Sequence, residues 1–486
     1  MLEQNNIPEI LEPERFPRPL RFIVRWLARI FIFSIAIFLL AFLLLQIPSV
    51  QNWTAQKVTH FLSKELNTKV SLDHISLEFF DKVVLEGVYI EDFDGDTLLY
   101  SKRIRANLNT GPISWFNRHL AFEDIALSGT FLNIKKKDGA TDSNLNAFLN
   151  QFKKKDPNKK NPFFFNIEQL LLKNIKVLNI NEVAGETQSY IVESGTIDVE
   201  IINLPAKKYF IKSVKLKKPA FTIEKYQPGN QPPPREDQIA DADSTSTNVD
   251  TAVFQLKIRA LQLTEGSFVM DNFRHSAAKM LPDSIFDPQH LKFKDINMNH
   301  ENLVFSEGQL NSFLKHLSLE ESSGFKVLQL TAKEFKLANN ALIFNQMNLE
   351  TPYSSLGDTF AMKFRNFGDF SNFNDKVLMQ AHFKDASFAV KDIMVFAPAL
   401  QRNTFFQNNR DEILTIDGEI SGRVNNLRGR ELNIKLARGA IFEGDFSSRN
   451  LAVHDEEFLN LRVEQLRTTM KTVKEILPKF NLPANF

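Results

Sequence analysis

Eight near-copies of one short frame, spread over most of the chain, constrain the fold more than any other feature of the sequence. In LTEGSFVMD, residues 263–271, an apolar residue is followed two places on by a polar one and three places on by a small or turn-prone one. A large apolar residue comes five places on. The frame recurs from Val84, Ala126, Leu172, Leu216, Leu337, Phe383 and Leu436, mostly at a period of roughly 45 residues, the mark of a repeat architecture. Its turn-prone place holds Gly87, Gly129, Ile175, Pro219, Gly266, Asn340, Ala386 and Gly439. Its large apolar place holds Tyr89, Phe131, Val177, Phe221, Phe268, Leu342, Phe388 and Ile441. A step of five is odd, so in a flat strand the two apolar ends point to opposite faces, and a bulge between them returns both to one face. The frame predicts strand, kink, strand, repeated so that the eight large residues line one wall. Ordinary hairpins in several separate β domains are the competing reading.

The copies lie within residues 68–450, where runs such as KVSLDHISLEFF and KVVLEGVYIED alternate or stay apolar over short lengths and end at turn residues, a mainly β pattern. Two insertions interrupt it. Residues 135–162 carry two lysine clusters around a short amphipathic segment with Leu145, Phe148, Leu149 and Phe152; this reads as a solvated loop, with anionic headgroups as the alternative contact. Residues 227–252 are rich in Pro, Asp, Ser and Thr and read as a disordered loop. Amphipathic helices are expected over 51–67, from Trp53, Val58, Phe61, Leu62 and Leu66, and over 455–478. In the second, Leu459, Val463, Leu466, Met470, Val473 and Leu477 follow each other at steps of four and three, the spacing of a helix packed on a core.

Phenylalanine is used 45 times against 6 Tyr and 3 Trp, so aromatic bulk is wanted without a polar handle. Lys and Arg number 59 against 58 Asp and Glu, and no global field favours nucleic acid. There is no cysteine, which excludes disulfides and thiolate chemistry. The acidic run Asp92–Asp96 resembles the start of a calcium loop, but Thr97 stands where glycine is needed and Arg103 where the bidentate glutamate belongs; a tight acidic turn fits better. The histidines show no zinc spacing, and no nucleophile elbow, phosphate loop or dinucleotide fingerprint occurs. The expectation is a protein that is no enzyme and needs no cofactor or metal.

Residues 22–47 contain an uninterrupted apolar run from Ile30 to Leu45, long enough as a helix to cross about 30 Å of hydrocarbon. Arg15, Arg18, Arg21, Arg25 and Arg29 precede the run, and Lys57 is the first cation after it. The positive-inside rule then gives a cytoplasmic tail at 1–21 and places the remainder outside. A cleaved signal peptide fits less well, because QIPSVQNW offers no small-residue cleavage site.

The anchor followed by IPSVQNWTAQKVTHFLSKELNTKVSLDHISLEFFDKVVLEGVYIEDFDGDTLL, then VKDIMVFAPAL at 390–400 and IDGEISGRVNNLRGRELNIKLARGAIFEGDF at 416–446, resembles the AsmA-like and TamB-like envelope proteins of Gram-negative bacteria. The resemblance implies an elongated, curled antiparallel sheet forming an apolar β-groove, held in the inner membrane and reaching through the periplasm. It also implies a longer protein, since the family's C-terminal domain is not recognisable here. Phospholipids are then the expected cargo between inner and outer membranes: exposing a two-chain lipid to water costs on the order of 20 kcal/mol at ~0.8 kcal/mol per methylene, and an apolar wall removes most of that. The alternative role is assembly of outer-membrane β-barrel proteins by edge pairing.

Overall fold

The computed structural model describes Trp26, residues 29–37, Leu40, Leu43, residues 47–78, 81–109, 119–154, 164–203, 206–228, 253–274, 286–396, 404–436, 438–450, Glu456 and residues 458–476. Among these residues twenty strands form one sheet. The first nine are β1 (Val70–Ser71), β2 (His74–Glu78), β3 (Lys82–Glu91), β4 (Thr97–Leu108), β5 (His119–Lys136), β6 (Phe164–Asn181), β7 (Glu186–Asn203), β8 (Lys208–Lys225) and β9 (Gln255–Asn272). Then come β10 (His290–Ser306), β11 (Gln309–Glu321), β12 (Lys326–Val327), β13 (Gln329–Ala338), β14 (Ala341–Glu350) and β15 (Ser355–Lys363). The last are β16 (Leu378–Ala389), β17 (Ile413–Arg423), β18 (Asn426–Leu436), β19 (Ile441–Arg449) and β20 (Phe458–Arg467).

Each strand pairs with its neighbour in sequence, except that β1 and β2 both pair with β3, and β12 and β13 both pair with β11. Pairing of sequential strands keeps loops short, and with ranks ~4.8 Å apart the sheet extends on the order of 80 Å across its strands.

The sheet is mixed, which corrects the expected all-antiparallel arrangement. β5 runs parallel to β6, and β8 runs parallel to β9. The reason is visible in the two insertions: parallel neighbours need a crossover of a dozen or more residues, and 135–162 and 227–252 fall at these two joints. The first crossover carries a helix, Asn144–Lys154. Ser143 Oγ accepts the Asn146 N–H at 3.2 Å, an N-cap bond. Phe148 of this helix is buried with Leu66, Val70 and Leu98. Asn144 also donates to Asp92 Oδ2 at 3.0 Å, while Asp92 Oδ1 accepts the N–H groups of Asp94 and Asp96. The acidic run is therefore a turn that holds the crossover helix.

The first amphipathic helix spans Pro48–Leu66. Proline suits its first turn, where an N–H would have no partner, and Asn67 ends it in the left-handed conformation at φ 50°. Of the anchor expected at 22–47, Trp26, 29–37, Leu40 and Leu43 are described as helical and Ile47 is the extended cap of the next helix; the other residues of that segment and the tail at 1–21 lie outside the described residues. No helix among the described residues is long and apolar enough to cross a membrane.

The helix expected over 455–478 is corrected as well. Residues 458–467 form β20, antiparallel to β19, and among the described residues of that span only Met470–Ile476 is helical. Leu459, Leu461 and Val463 also alternate at two, so a strand accounts for them, and the free edge of β19 supplies backbone partners that a helix would forgo. A register shift at Glu443/Gly444 then lets the odd step from Val463 to Leu466 keep to the same side. Leu466 is 63% exposed rather than packed on a core.

Candidate apolar track

Left-handed backbone recurs inside the strands at fixed places. Apart from Gly418, Gly422 and Gly444, whose φ is 117° to 149°, the strands hold positive φ, between 47° and 83°, at Gly87, Gly129, Asn174, Lys218, Glu265, Asp295, Asn302, Gln346, Asp358, Asp385 and Glu431. In every case an apolar residue, glycine or His300 lies two residues before and an apolar residue three residues after: Leu85 and Ile90, Leu127 and Leu132, Leu172 and Val177, Leu216 and Phe221, Leu263 and Phe268, Phe383 and Phe388, and so on. The frame is thus apolar, any, left-handed, any, any, apolar. The Phe383 and Phe388 rings show what it does: five residues apart, they meet edge-on at 5.1 Å in one cluster with Ala386, Ile416 and Leu432. The kink carries an odd step without changing face. Its N–H points out of the ladder and is taken by a neighbouring strand, Glu265 by Asn297 Oδ1 at 3.1 Å and Glu431 by Asp445 Oδ1 at 3.0 Å.

Strand pairing aligns these ends into rows. One row runs Ile75, Leu85, Ile104, Leu127, Leu172, Gly195, Leu216, Leu263, Met298, Leu317, through ten strands without a polar side chain. Beyond the kinks a second runs Ile90, Leu99, Leu132, Val177, Tyr190, Phe221, Phe268, Phe293. Its rings touch in succession, Tyr190 to Phe221 at 4.5 Å, Phe221 to Phe268 at 5.6 Å and Phe268 to Phe293 at 6.0 Å. In the C-terminal half a row runs Phe335, Phe344, Phe360, Ala381, Ile420, Gly429, Phe446, Leu461 to the β20 edge. Gly429 has no Cβ because Leu432 Cδ1 and Phe446 Cε1 occupy its place, each 2.4 Å from where it would stand. The two halves are joined by the cluster of Leu314, Ala332 and Met347, which packs Met298 and Leu317 of the first row against Phe335 and Phe344 of the last. The row next to the first, on the opposite face, is polar: His74, Glu86, Arg103, Ser128, Lys173, Ser194, Lys217, Thr264. Arg103 bonds Glu78 at 2.9 Å and Lys218 bonds Glu193 at 3.1 Å on that face.

Of the eight residues expected on one wall, Val177, Phe221 and Phe268 share the aromatic row, and Phe388 lies in the Phe383 cluster. Leu342 sits in another apolar row, Phe305, Leu310, Leu337, Leu342, Met362, Met379. Tyr89, Phe131 and Ile441 are placed elsewhere. Tyr89 donates to Glu91 Oε1 at 3.1 Å, Lys176 Nζ lies 5.9 Å from the Phe131 ring, and Ile441 pairs with Lys435 and Arg467. Their next neighbours, Ile90, Leu132 and Phe442, occupy the apolar positions instead. The reason is the kink. Gly87 and Gly129 are themselves the left-handed residues, whereas in the later strand copies Asn174, Lys218, Glu265 and Asp385, one place earlier, take that role. The copies from Leu337 and Leu436 straddle the hairpin turns β13–β14 and β18–β19 rather than a strand kink.

Polar groups interrupt the apolar side: Glu321, 2% exposed, pairs with Phe293 at the end of the aromatic row, Asn179 pairs with Gln188 between Ile134 and Ile223, and a histidine is buried further along. His300 stands in the row Leu170, Ile197, Val214, Leu261, His300, Leu314, is 5% exposed, and bonds Ser312 Oγ through Nδ1 at 2.8 Å. Burial lowers its pKa to about 4, so it is neutral at pH 7. Its ring lies 5.4 Å from Phe335, at the junction of the two halves. Among the described residues no group of three or more His, Cys, Asp or Glu could hold a metal ion. Compared with known proteins, the chain matches no protein-family model and no curated protein sequence.

Proposed function

We propose that this protein shields lipid acyl chains along its apolar rows and carries phospholipid between inner and outer membranes. In this reading it is anchored in the inner membrane by residues 22–47 and lies otherwise in the periplasm, as its resemblance to AsmA-like and TamB-like envelope proteins implies. The observation that carries the reading is the continuity of the rows from β2 to β20. A pocket ends where its walls close, but here the first row hands an apolar side chain or a glycine from rank to rank as far as Leu317, and the Leu314 cluster passes it to the last row; the aromatic row ends at Phe293, opposite the buried Glu321. Phenylalanine suits such a wall because its ring has no polar atom to satisfy.

A photocrosslinker at Phe221 or Phe268 should capture phospholipid in cells, while one at the outward kinks Lys218 or Glu265 should not. Equal capture at all four, or at none, rejects the reading. The outer edge of β20, which among the described residues pairs only with β19 and all of whose residues are exposed, favours a second reading, a factor that receives outer-membrane barrel strands by edge pairing. Crosslinks from β20 to a barrel protein, without lipid at Phe221, would select it.

A further inference from the structure

The helix Pro48–Leu66 has two working faces, and the sheet accounts for one of them. Ala55 and Leu66 are buried, Leu66 together with Leu62 in the cluster that covers the first ranks of the sheet. The opposite side carries Trp53, Gln56, Lys57, His60, Phe61 and Lys64, all exposed and spaced at three and four. Trp53 is 59% and Phe61 64% exposed, a large apolar area to leave in water. The stripe holds two lysines and no acidic residue. This is the composition that settles at a bilayer surface, with aromatic rings at headgroup depth and cations toward the phosphates.

We infer that this face of the helix lies flat on a membrane carrying anionic phospholipid. Two observations select a bilayer over another protein. The stripe pairs aromatic rings with lysines alone, which complements a layer of uniform negative charge. It also follows closely in sequence on apolar helical residues that are themselves exposed, Ile30 to Phe33, Ile35, Ile37, Leu40 and Leu43, so a bilayer that receives these lies within reach of Trp53 and Phe61. One helix then joins the bilayer to the first ranks of the sheet, with Leu62 and Leu66 on the sheet side and Trp53 and Phe61 on the lipid side. The inference concerns where the sheet begins and holds whether or not lipid travels along it.

The test uses the full chain in vesicles, with tryptophan emission read against lipids brominated on their acyl chains. In one protein Trp53 is the sole tryptophan, with Trp26 and Trp115 changed to Phe; in a second, Trp53 is also Phe and Phe61→Trp is the probe. Residue 61 lies about 12 Å further along the helix axis, so a helix rising away from the membrane is quenched at 53 only. The expected result is quenching at both positions on vesicles containing phosphatidylglycerol. Quenching at 61 should fall in Lys57→Glu/Lys64→Glu and on purely zwitterionic vesicles, since each lysine near an anionic surface is worth about fivefold in affinity. Quenching at 53 alone, quenching at neither, or quenching at 61 indifferent to both charge changes overturns the inference. So does crosslinking between residues 61 of two copies without quenching, which would make the face a contact between protomers.

Discussion

His300 is a titratable group buried on the apolar side, and its energetics can be read from pH. Its pKa of about 4 in the folded protein lies below the 6.5 of an unperturbed histidine because burial penalises the charged ring, which faces Ser312 and Phe335. The unfolded chain therefore binds a proton at higher pH than the folded one. Stability from this residue is complete above pH 6.5 and is lost as pH falls towards 4, by about 3 kcal/mol in all. His300→Leu should flatten the stability curve between these pH values, measured by denaturant unfolding at each pH; an unchanged slope would mean the imidazole is solvated. The kinks are a second residue-scale matter. Glu265 holds φ 54°, a conformation that costs an L-residue roughly 1–2 kcal/mol and a β-branched one more. Glu265→Gly should leave the melting temperature equal or higher, and Glu265→Val should lower stability by about 1–3 kcal/mol.

At the scale of the strand, the odd step is what the sequence makes legible and what it conceals. That Leu263 and Phe268, or Phe383 and Phe388, belong to one wall is what the repeated frame predicts once a bulge is placed between them, although the residue after each large one is mostly apolar too. The frame does not say which residue turns left-handed, because Gly87 announces itself while Lys218 and Glu265 are ordinary charged residues held there by their neighbours. Tyr89 and Phe131 are misplaced by one position for that reason. The stripe from Leu459 to Leu477 fits two periods at once, and only the free edge of β19 decides between them. The strand directions at β5–β6 and β8–β9 were equally readable, since insertions of that length are what parallel joints require. Removing one residue tests the device directly. Deleting Asp385 takes out the left-handed position of β16 and should turn either Phe383 or Phe388 to the polar face. The expected loss is about 3–5 kcal/mol, as for truncating a buried phenylalanine, whereas Asp385→Gly, which keeps the step, should cost little. Equal effects of the deletion and the substitution would show that the kink does not set the face.

At the scale of the molecule, a track and a pocket respond differently to the same injury. A pocket is disabled only by changes at its own wall. A track passes its cargo through every rank in series, so the slowest rank sets the rate, and a carboxylate placed in any row obliges each acyl chain to pass an ion and its retained water, a barrier of several kcal/mol. Phe221→Asp in β8 and Phe268→Asp in β9 lie in the aromatic row and Phe446→Asp in β19 in the C-terminal row, with ten strands between the outermost two. Each should slow transfer of fluorescent phospholipid from donor to acceptor vesicles to a similar low rate. The Phe221→Asp/Phe446→Asp double variant should be hardly slower than either single one, because once one rank limits, a second equal barrier in series only halves the rate. Thermal melts of each variant separate a blocked track from an unfolded sheet. If Phe446→Asp folds and transfers lipid at the unmodified rate while Phe221→Asp does not, the cargo never reaches β19, and the N-terminal ranks act as a binding site rather than as part of a continuous path.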